Sequence, residues 1–461
     1  MSQDVRNLQP SALWNHFADL NAVPRPSKKE ERVIEFARAF GESLGLPTII
    51  DEVGNVIITK PATPGMENRA TVVLQSHLDM VHQKNADTSF DFDNQGIDMV
   101  VDGDWVKAKG TTLGADNGIG VASIMAVLAS KDIAHPKLEA LFTIDEETGM
   151  TGAMGLKGGL LTAKYMLNLD TEEDDELTIG CAGGIDVTAT GAYTQEDCPS
   201  GYAGFQLVLR GLTGGHSGME IHLGRGNANK LMNRILRDIE DLGARIAGID
   251  GGGLRNAIPR ESKATIAISD SKKAELTKRI AAMTSVLKTE HATTDPDLEL
   301  VMNTVGAPAK VMSAAAQRGF VNAVYACPNG IYRMSPDVAG LVQTSNNVAR
   351  IELLNGNYTV MCLTRSSVDT EKTDIARAIS SAFDQIGASI DCSGAYPGWA
   401  PLPGSPIVKL MADLYRELFN GEPNVNACHA GLECGILGTH YPDMEMISFG
   451  PNIKGAHSPD E

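Results

Sequence analysis

Histidines and carboxylates recur in this sequence at the ends of apolar runs. His77 and Asp79 close the run TVVLQ as S-H-L-D. Side chains two apart on a strand share a face. An imidazole can therefore stand beside a carboxylate that engages one ring nitrogen, leaving the other free for a cation. Glu146 and Glu147, preceded by Asp145, follow the run LEALFTI. Adjacent carboxylates repel, and at a partly buried position this costs free energy unless a cation is near. Asp170 closes a third run, YMLNLD, Asp116 sits in a Gly-rich turn just before an apolar segment, and His457 lies in the terminal loop AHSPDE. Each signal alone has an ordinary explanation: a surface turn for His77, a helix N-cap for Asp116, a solvated loop for the acidic run. Jointly, strand ends deliver these groups to one edge of a sheet, and neutral imidazoles with carboxylates suit zinc or a similar divalent ion. Two histidines and three carboxylates fall one charge short of neutralising two divalent ions, a remainder that a bridging hydroxide would cancel. The expected chemistry is metal-assisted hydrolysis. The segment GADNGIG lacks the G-x-G-x-x-G spacing and any basic residue, so nucleotide binding is excluded.

The elements that must position these groups follow from periodicity. Val33, Ile34, Phe36, Ala37, Phe40 and Leu44 have helical spacing, and Ser27 with Glu30 fits a capping box ahead of them. Thr48–Ile50 and Val56–Thr59 read as a hairpin turning near Gly54-Asn55. From Thr71 to Asp170 strand-like runs alternate with the helical GIGVASIMAVLAS, which predicts an α/β domain with a mainly parallel sheet. After CAGGID, two strand-and-helix units of similar element order follow one another, predicting an α+β lid of two similar units. A Pro- and Gly-rich stretch from about Gly394 leads to a helix over Ile407–Leu418, the Gly-rich HAGLECG and the strand MEMISFG. The expected organisation is a catalytic domain from residues 1–186 and 394–461, with the lid, 187–393, inserted between them.

Composition narrows the class. The 461 residues carry a net charge of −19, which repels nucleic acid and anionic lipid, so neither is an expected partner. The first residues lack the basic start and apolar core of a signal peptide, and no apolar run approaches the roughly 20 residues that span a bilayer. Seven scattered cysteines without a CxxC pair read as reduced thiols of a cytoplasmic protein.

The motifs SHLDMV, GTTLGADNGIG, TIDEETGM, NLDTEE, CAGGID, GGHSG, RNAIPRE, GAYPGW, HAGLECG and GPNIKGAHSPDE together resemble the aminoacyl-histidine (Xaa-His, or β-alanyl-histidine) dipeptidases, zinc peptidases related to carboxypeptidase G and aminoacylase. The resemblance runs from about Leu8 to Glu461. It implies hydrolysis of dipeptides, Xaa-His such as β-alanyl-histidine above all, by a hydroxide bridging two Zn²⁺, with Mn²⁺ or Co²⁺ as substitutes. It implies that Asp116 bridges the ions, that His77 and Asp170 complete one shell and that Glu147 and His457 complete the other. Asp79 resembles the carboxylate that orients His77, and Glu146 the general base. A cis peptide is implied at Asp116–Asn117. His216 in GGHSG matches a lid histidine that stabilises the oxyanion, and Asn256 and Arg365 match positions that hold the substrate's terminal carboxylate. Glu433 is a candidate to receive the substrate's amino group, with a buried structural role as its alternative. The family runs on past Glu461 through a further strand and helix, so the segment bearing His457 is expected to be weakly anchored. The same site would also serve a deacylase of N-acyl amino acids, and a catalytically dead metal-binding scaffold is the reading from another class. Expected partners are a small dipeptide and, for the protein itself, either no partner or a second copy.

Overall fold

The computed structural model describes residues 3–461, which divide into two compact units. The first comprises residues up to Gly180 with Pro401–Ala427 and Leu432–Glu461, and the second comprises Cys181–Ala400 with Cys428–Gly431. Cuts at 186 and 393 would fall inside the strands Gly183–Ala192 and Ser389–Tyr396. These strands pair with each other in the second unit, so the boundaries move outward.

Among the described residues the first unit holds an eight-stranded sheet in the order Thr48–Ile50, Val56–Lys60, Leu138–Thr143, Val72–His77, Tyr165–Asn168, Glu445–Ser448, Glu176–Cys181, Asn424–Cys428. Its four central strands, Leu138–Thr143 through Glu445–Ser448, run parallel, and antiparallel pairings extend it on both sides. Strands buried on both faces read as unbroken apolar runs, and Leu138–Thr143 is buried at every position. The helix Ala115–Ala129 packs Val121, Ile124, Met125 and Leu128 into one core with Leu74, Ala140 and Phe142. Its first turn is not helical: Asp116 has ψ 112° and the Asp116–Asn117 peptide is cis.

Two local expectations change. The helix Glu31–Ser43 forms, but no side chain caps it: the Ser27 hydroxyl donates to Asp79 Oδ2 (2.8 Å) and Glu30 Oε1 accepts from the Lys28 N–H (2.8 Å). The Gly-rich HAGLECG is also the start of a short helix, Glu433–His440.

In the second unit a nine-stranded antiparallel sheet forms two halves. Glu299–Val305, Tyr202–Arg210, Ser262–Ser269 and Arg245–Gly252 make one, and Val342–Leu354, Asn357–Ser366, Gly183–Ala192 and Ser389–Tyr396 make the other, with Gly330–Met334 paired beside Val342–Leu354. The halves join where Ile249–Gly252 pairs with Arg350–Leu353. Helices Ala228–Asp238, Lys273–Glu290, Ala314–Ala326 and Asp369–Asp384 cover this sheet, and one continuous apolar core runs beneath them. Among the described residues no helix is long and apolar enough to cross a membrane.

Candidate metal centre and histidine cluster

In the first unit the sheet delivers its groups as the strand ends require. His77 is the last residue of Val72–His77 and lies opposite Thr143 of the neighbouring parallel strand, whose chain continues into Asp145–Glu147. His77 Nε2 is 3.1 Å from Asp116 Oδ1 and 3.4 Å from Asp170 Oδ1. His457 Nε2 is 3.0 Å from Asp116 Oδ2 and 3.0 Å from Glu147 Oε2. Two groups of potential ligands thus share Asp116, namely His77, Asp116, Asp170 and Asp116, Glu147, His457.

Asp79 holds both ends of this arrangement. Its Oδ1 lies 3.3 Å from His77 Nδ1 and accepts the Glu146 N–H (3.0 Å), while Oδ2 accepts the Glu147 N–H (3.3 Å) and the Ser27 hydroxyl. A fully buried carboxylate therefore sets the imidazole and the adjacent glutamates relative to each other. Asp145, by contrast, spends its oxygens on Lys28, Thr148 and Thr151.

Proton affinities follow from this crowding. Burial opposes charge on His77, yet Asp170, Asp116 and Asp79 hold its pKa well above the ordinary value. His457, which is exposed, is pushed up to about 11 by hydrogen bonds to Asp116 and Glu147. Burial raises Asp170 to about 6 and lifts Glu146 well above the usual carboxylate range, helped in each case by neighbouring acids. Asp116 is driven down, because the two imidazoles outweigh its burial. Imidazoles that cling to protons between carboxylates mark a place where cations replace protons. Buried Glu147 Oε1 has no hydrogen-bond partner, so it too is left for a cation. The residues present fit divalent metal of the zinc type.

Neighbouring residues fix the site. The buried Arg25 guanidinium donates to the carbonyls of Leu78 (3.1 Å), Asp79 (3.1 Å) and Gly114 (2.6 Å). Gly114 has φ +71°, and a Cβ there would meet Arg25 Nη2 at 2.5 Å, so only glycine fits. The loop bearing His457 is tied down, contrary to the weak anchoring expected: the Glu461 carboxylate accepts main-chain N–H groups of Leu113, Gly114 and Ala115 at 2.7–3.1 Å. Glu433 is fully buried beside the same strands. Its Oε2 accepts from Gln75 Nε2 and Thr143 Oγ1 (2.6 Å each), Oε1 has no partner, and burial raises its pKa to about 8. Sequence reasoning missed Arg25, Glu461 and the Gln75–Thr143 pair. Arg25 and Glu461 act on main-chain atoms, which leave no mark in residue spacing.

The second unit gathers a different group. His216 Nδ1 accepts the N–H groups of Gly218 (3.2 Å) and Met219 (3.0 Å), so a neutral ring carries its proton on Nε2. That nitrogen lies 3.5 Å from Arg365 Nη2, and Arg365 Nη1 donates to the Tyr396 hydroxyl (2.9 Å). Asn256 is exposed, and its carbonyl accepts the Ser217 N–H (2.8 Å), which sets it beside His216. Burial and then Arg365 lower His216 to about 4, and the buried His429, whose Nε2 is 2.8 Å from Ser345 Oγ, falls to about 3 for the same reasons. Tyr396 and His429 carried no signal strong enough to single them out.

An α/β unit with this donor set carries groups that could hold a cation. Residues 207–295 match the family model described as a peptidase dimerisation domain. The chain is 45% identical over 459 residues to the cytosol non-specific dipeptidase of Escherichia coli, covering 99% of this chain and 95% of that one. It also superposes on the crystal structure of aminoacylhistidine dipeptidase from Vibrio alginolyticus with a TM-score of 0.93, at 47% identity and with 99% and 94% coverage. The aminopeptidase PepT from Bacillus cereus shares the fold at a TM-score of 0.61 and 17% identity, covering 97% of this chain and 92% of its own. The chain belongs to the M20 peptidase family and is one of its dipeptidases.

Proposed function

We propose that the protein is a cytoplasmic metal-dependent dipeptidase that prefers Xaa-His substrates such as β-alanyl-histidine. The observation that carries this reading is Asp116, whose two carboxylate oxygens stand 3.1 and 3.0 Å from the imidazoles of His77 and His457. Two zinc ions, or manganese or cobalt in their place, would be held by His77, Asp116 and Asp170 and by Asp116, Glu147 and His457. Bound there, such ions lower the pKa of water and polarise a peptide carbonyl.

The chain's own residues do the rest. Glu146, whose proton affinity burial has raised, takes a proton from the attacking water onto its carboxylate and passes it to the leaving amine nitrogen. Asp79 keeps His77 Nδ1 engaged, so Nε2 faces the cation. His216 donates from Nε2 to the substrate's carbonyl oxygen as that oxygen gains charge. Arg365 and Asn256 hold the terminal carboxylate, the guanidinium by paired hydrogen bonds. The name of the family model over residues 207–295 supports a homodimer.

The test is a substrate panel run on purified protein, after chelation and after zinc is restored. β-Alanyl-histidine and other Xaa-His dipeptides are expected to be cleaved fastest, with activity lost on chelation and regained with zinc. Faster turnover of N-acetyl amino acids would instead make the protein a deacylase. Bound metal without turnover of either class would make it a scaffold.

A further inference from the structure

The three segments that bring His77, Asp116 and His457 together are far apart in sequence, and two charged side chains outside the ligand set knit them. Arg25 grips the main-chain carbonyl of Gly114. Glu461 grips the same turn from its N–H side: Oε2 accepts from Leu113 (2.9 Å) and Gly114 (3.1 Å), and Oε1 from Ala115 (2.7 Å), with the Asp116 N–H at 3.4 Å. A carboxylate, whose two oxygens each accept more than one hydrogen bond, is well matched to the consecutive N–H groups of this non-helical turn. The Glu461 side chain is also fixed relative to His457. The Glu461 N–H bonds to the Ser458 carbonyl (3.2 Å), and the Ser458 N–H and hydroxyl both bond to the Gly455 carbonyl (3.0 and 2.8 Å). The loop from Gly455 to Glu461 is thus folded on itself, with an imidazole and a carboxylate projecting toward adjacent points of the Asp116 turn.

We propose that Glu461 is a positioning residue that clasps the Asp116 turn to the His457 loop, so that the subsite of Asp116, Glu147 and His457 is assembled before any cation arrives. His77 and Asp170 reach Asp116 without this loop, and Arg25 holds the same turn at Gly114, so the other subsite depends less on the clasp. The inference rests on the metal-centre reading above, but the clasp itself is a property of the metal-free protein.

The experiment uses E461A and E461Q in the full chain. Gln keeps one acceptor oxygen and sets an amide N–H against main-chain N–H groups. Amide hydrogen exchange on metal-free protein is expected to quicken at least ten-fold at residues 113–116 in both variants. Exchange in the strand Leu138–Thr143 is expected to stay unchanged, which also reports that the variants are folded. Zinc titration against a competing chelator is expected to show one of two equivalents weakened at least ten-fold and the other retained. Wild-type exchange at residues 113–116, or equal weakening of both equivalents, overturns the proposal. If wild-type protein binds no divalent cation, the metal-centre reading falls on its own, and the exchange measurement still decides the clasp.

Discussion

The two units handle their histidines in opposite ways. In the first, His77 and His457 sit among carboxylates and their pKa values rise; in the second, His216 and His429 sit near Arg365 and theirs fall. The same side chain is thus prepared for different work: the first pair has lone pairs that a cation can claim from a proton, whereas His216 is a neutral donor at physiological pH. The cores differ in parallel. One large apolar cluster, with a small satellite of Ile221, Ile258 and Val342, fills the second unit, while the first unit's core is divided among several clusters. Gln75, Asn168, Ser448 and Thr171 form a chain of hydrogen bonds through the middle of its sheet, next to Glu433. Such buried networks are costly unless fully satisfied, and here they accompany the concentration of charge that a cation site needs.

Breaking the acidic side of this contrast is expected to have the largest effect. Glu146→Ala should lower kcat by about 10³-fold while metal content, measured by mass spectrometry, stays at the wild-type level; loss of metal would instead make Glu146 a ligand. On the basic side, His216→Ala is expected to lower kcat by about 10²-fold, as for one lost oxyanion donor, with KM little changed. An equal rise in KM would point to ground-state binding instead.

The smallest effect sharpens the contrast by pH. A carboxyl whose folded-state pKa is raised stabilises the fold fully below its unfolded value, and that contribution is lost as pH climbs through the folded value. For Glu433 the window runs from about 4.5 to about 8. Metal-free Glu433→Gln, whose carbonyl can still accept from Gln75 and Thr143, should remove up to about 1.4 kcal/mol per pH unit of downward slope across that window in urea unfolding. An unchanged slope would show that Glu433 is already ionised in the folded protein.

Much of this was legible in the sequence because the central strands are apolar runs with a chemical group at each end, and burial on both faces demands such runs. The repeated element order of the second unit was legible, but the halves do not follow one another: Gly183–Ala192 precedes the first half and pairs in the second, and Ile249–Gly252 with Arg350–Leu353 merges both into one sheet. The helix Glu433–His440 was hidden by its glycines, which usually mark turns. The capping box misled because the Ser27 hydroxyl serves Asp79, a partner 52 residues away, in place of its own helix. Arg25 and Glu461 were invisible for a related reason: side chains that bond to carbonyls and N–H groups can do so anywhere in a chain, and only the folded path says where.

The strand Glu445–Ser448 lies in the interior of its sheet, between Tyr165–Asn168 and Glu176–Cys181, although it is the last strand of the described chain to leave the ribosome. A nascent polypeptide complete to His440 therefore has a gap in the middle of that sheet and lacks His457 as well. A chain that has emerged only to His440 cannot bring Asp116 and His457 together, and the strand edges flanking the gap need shielding until Glu445–Ser448 follows.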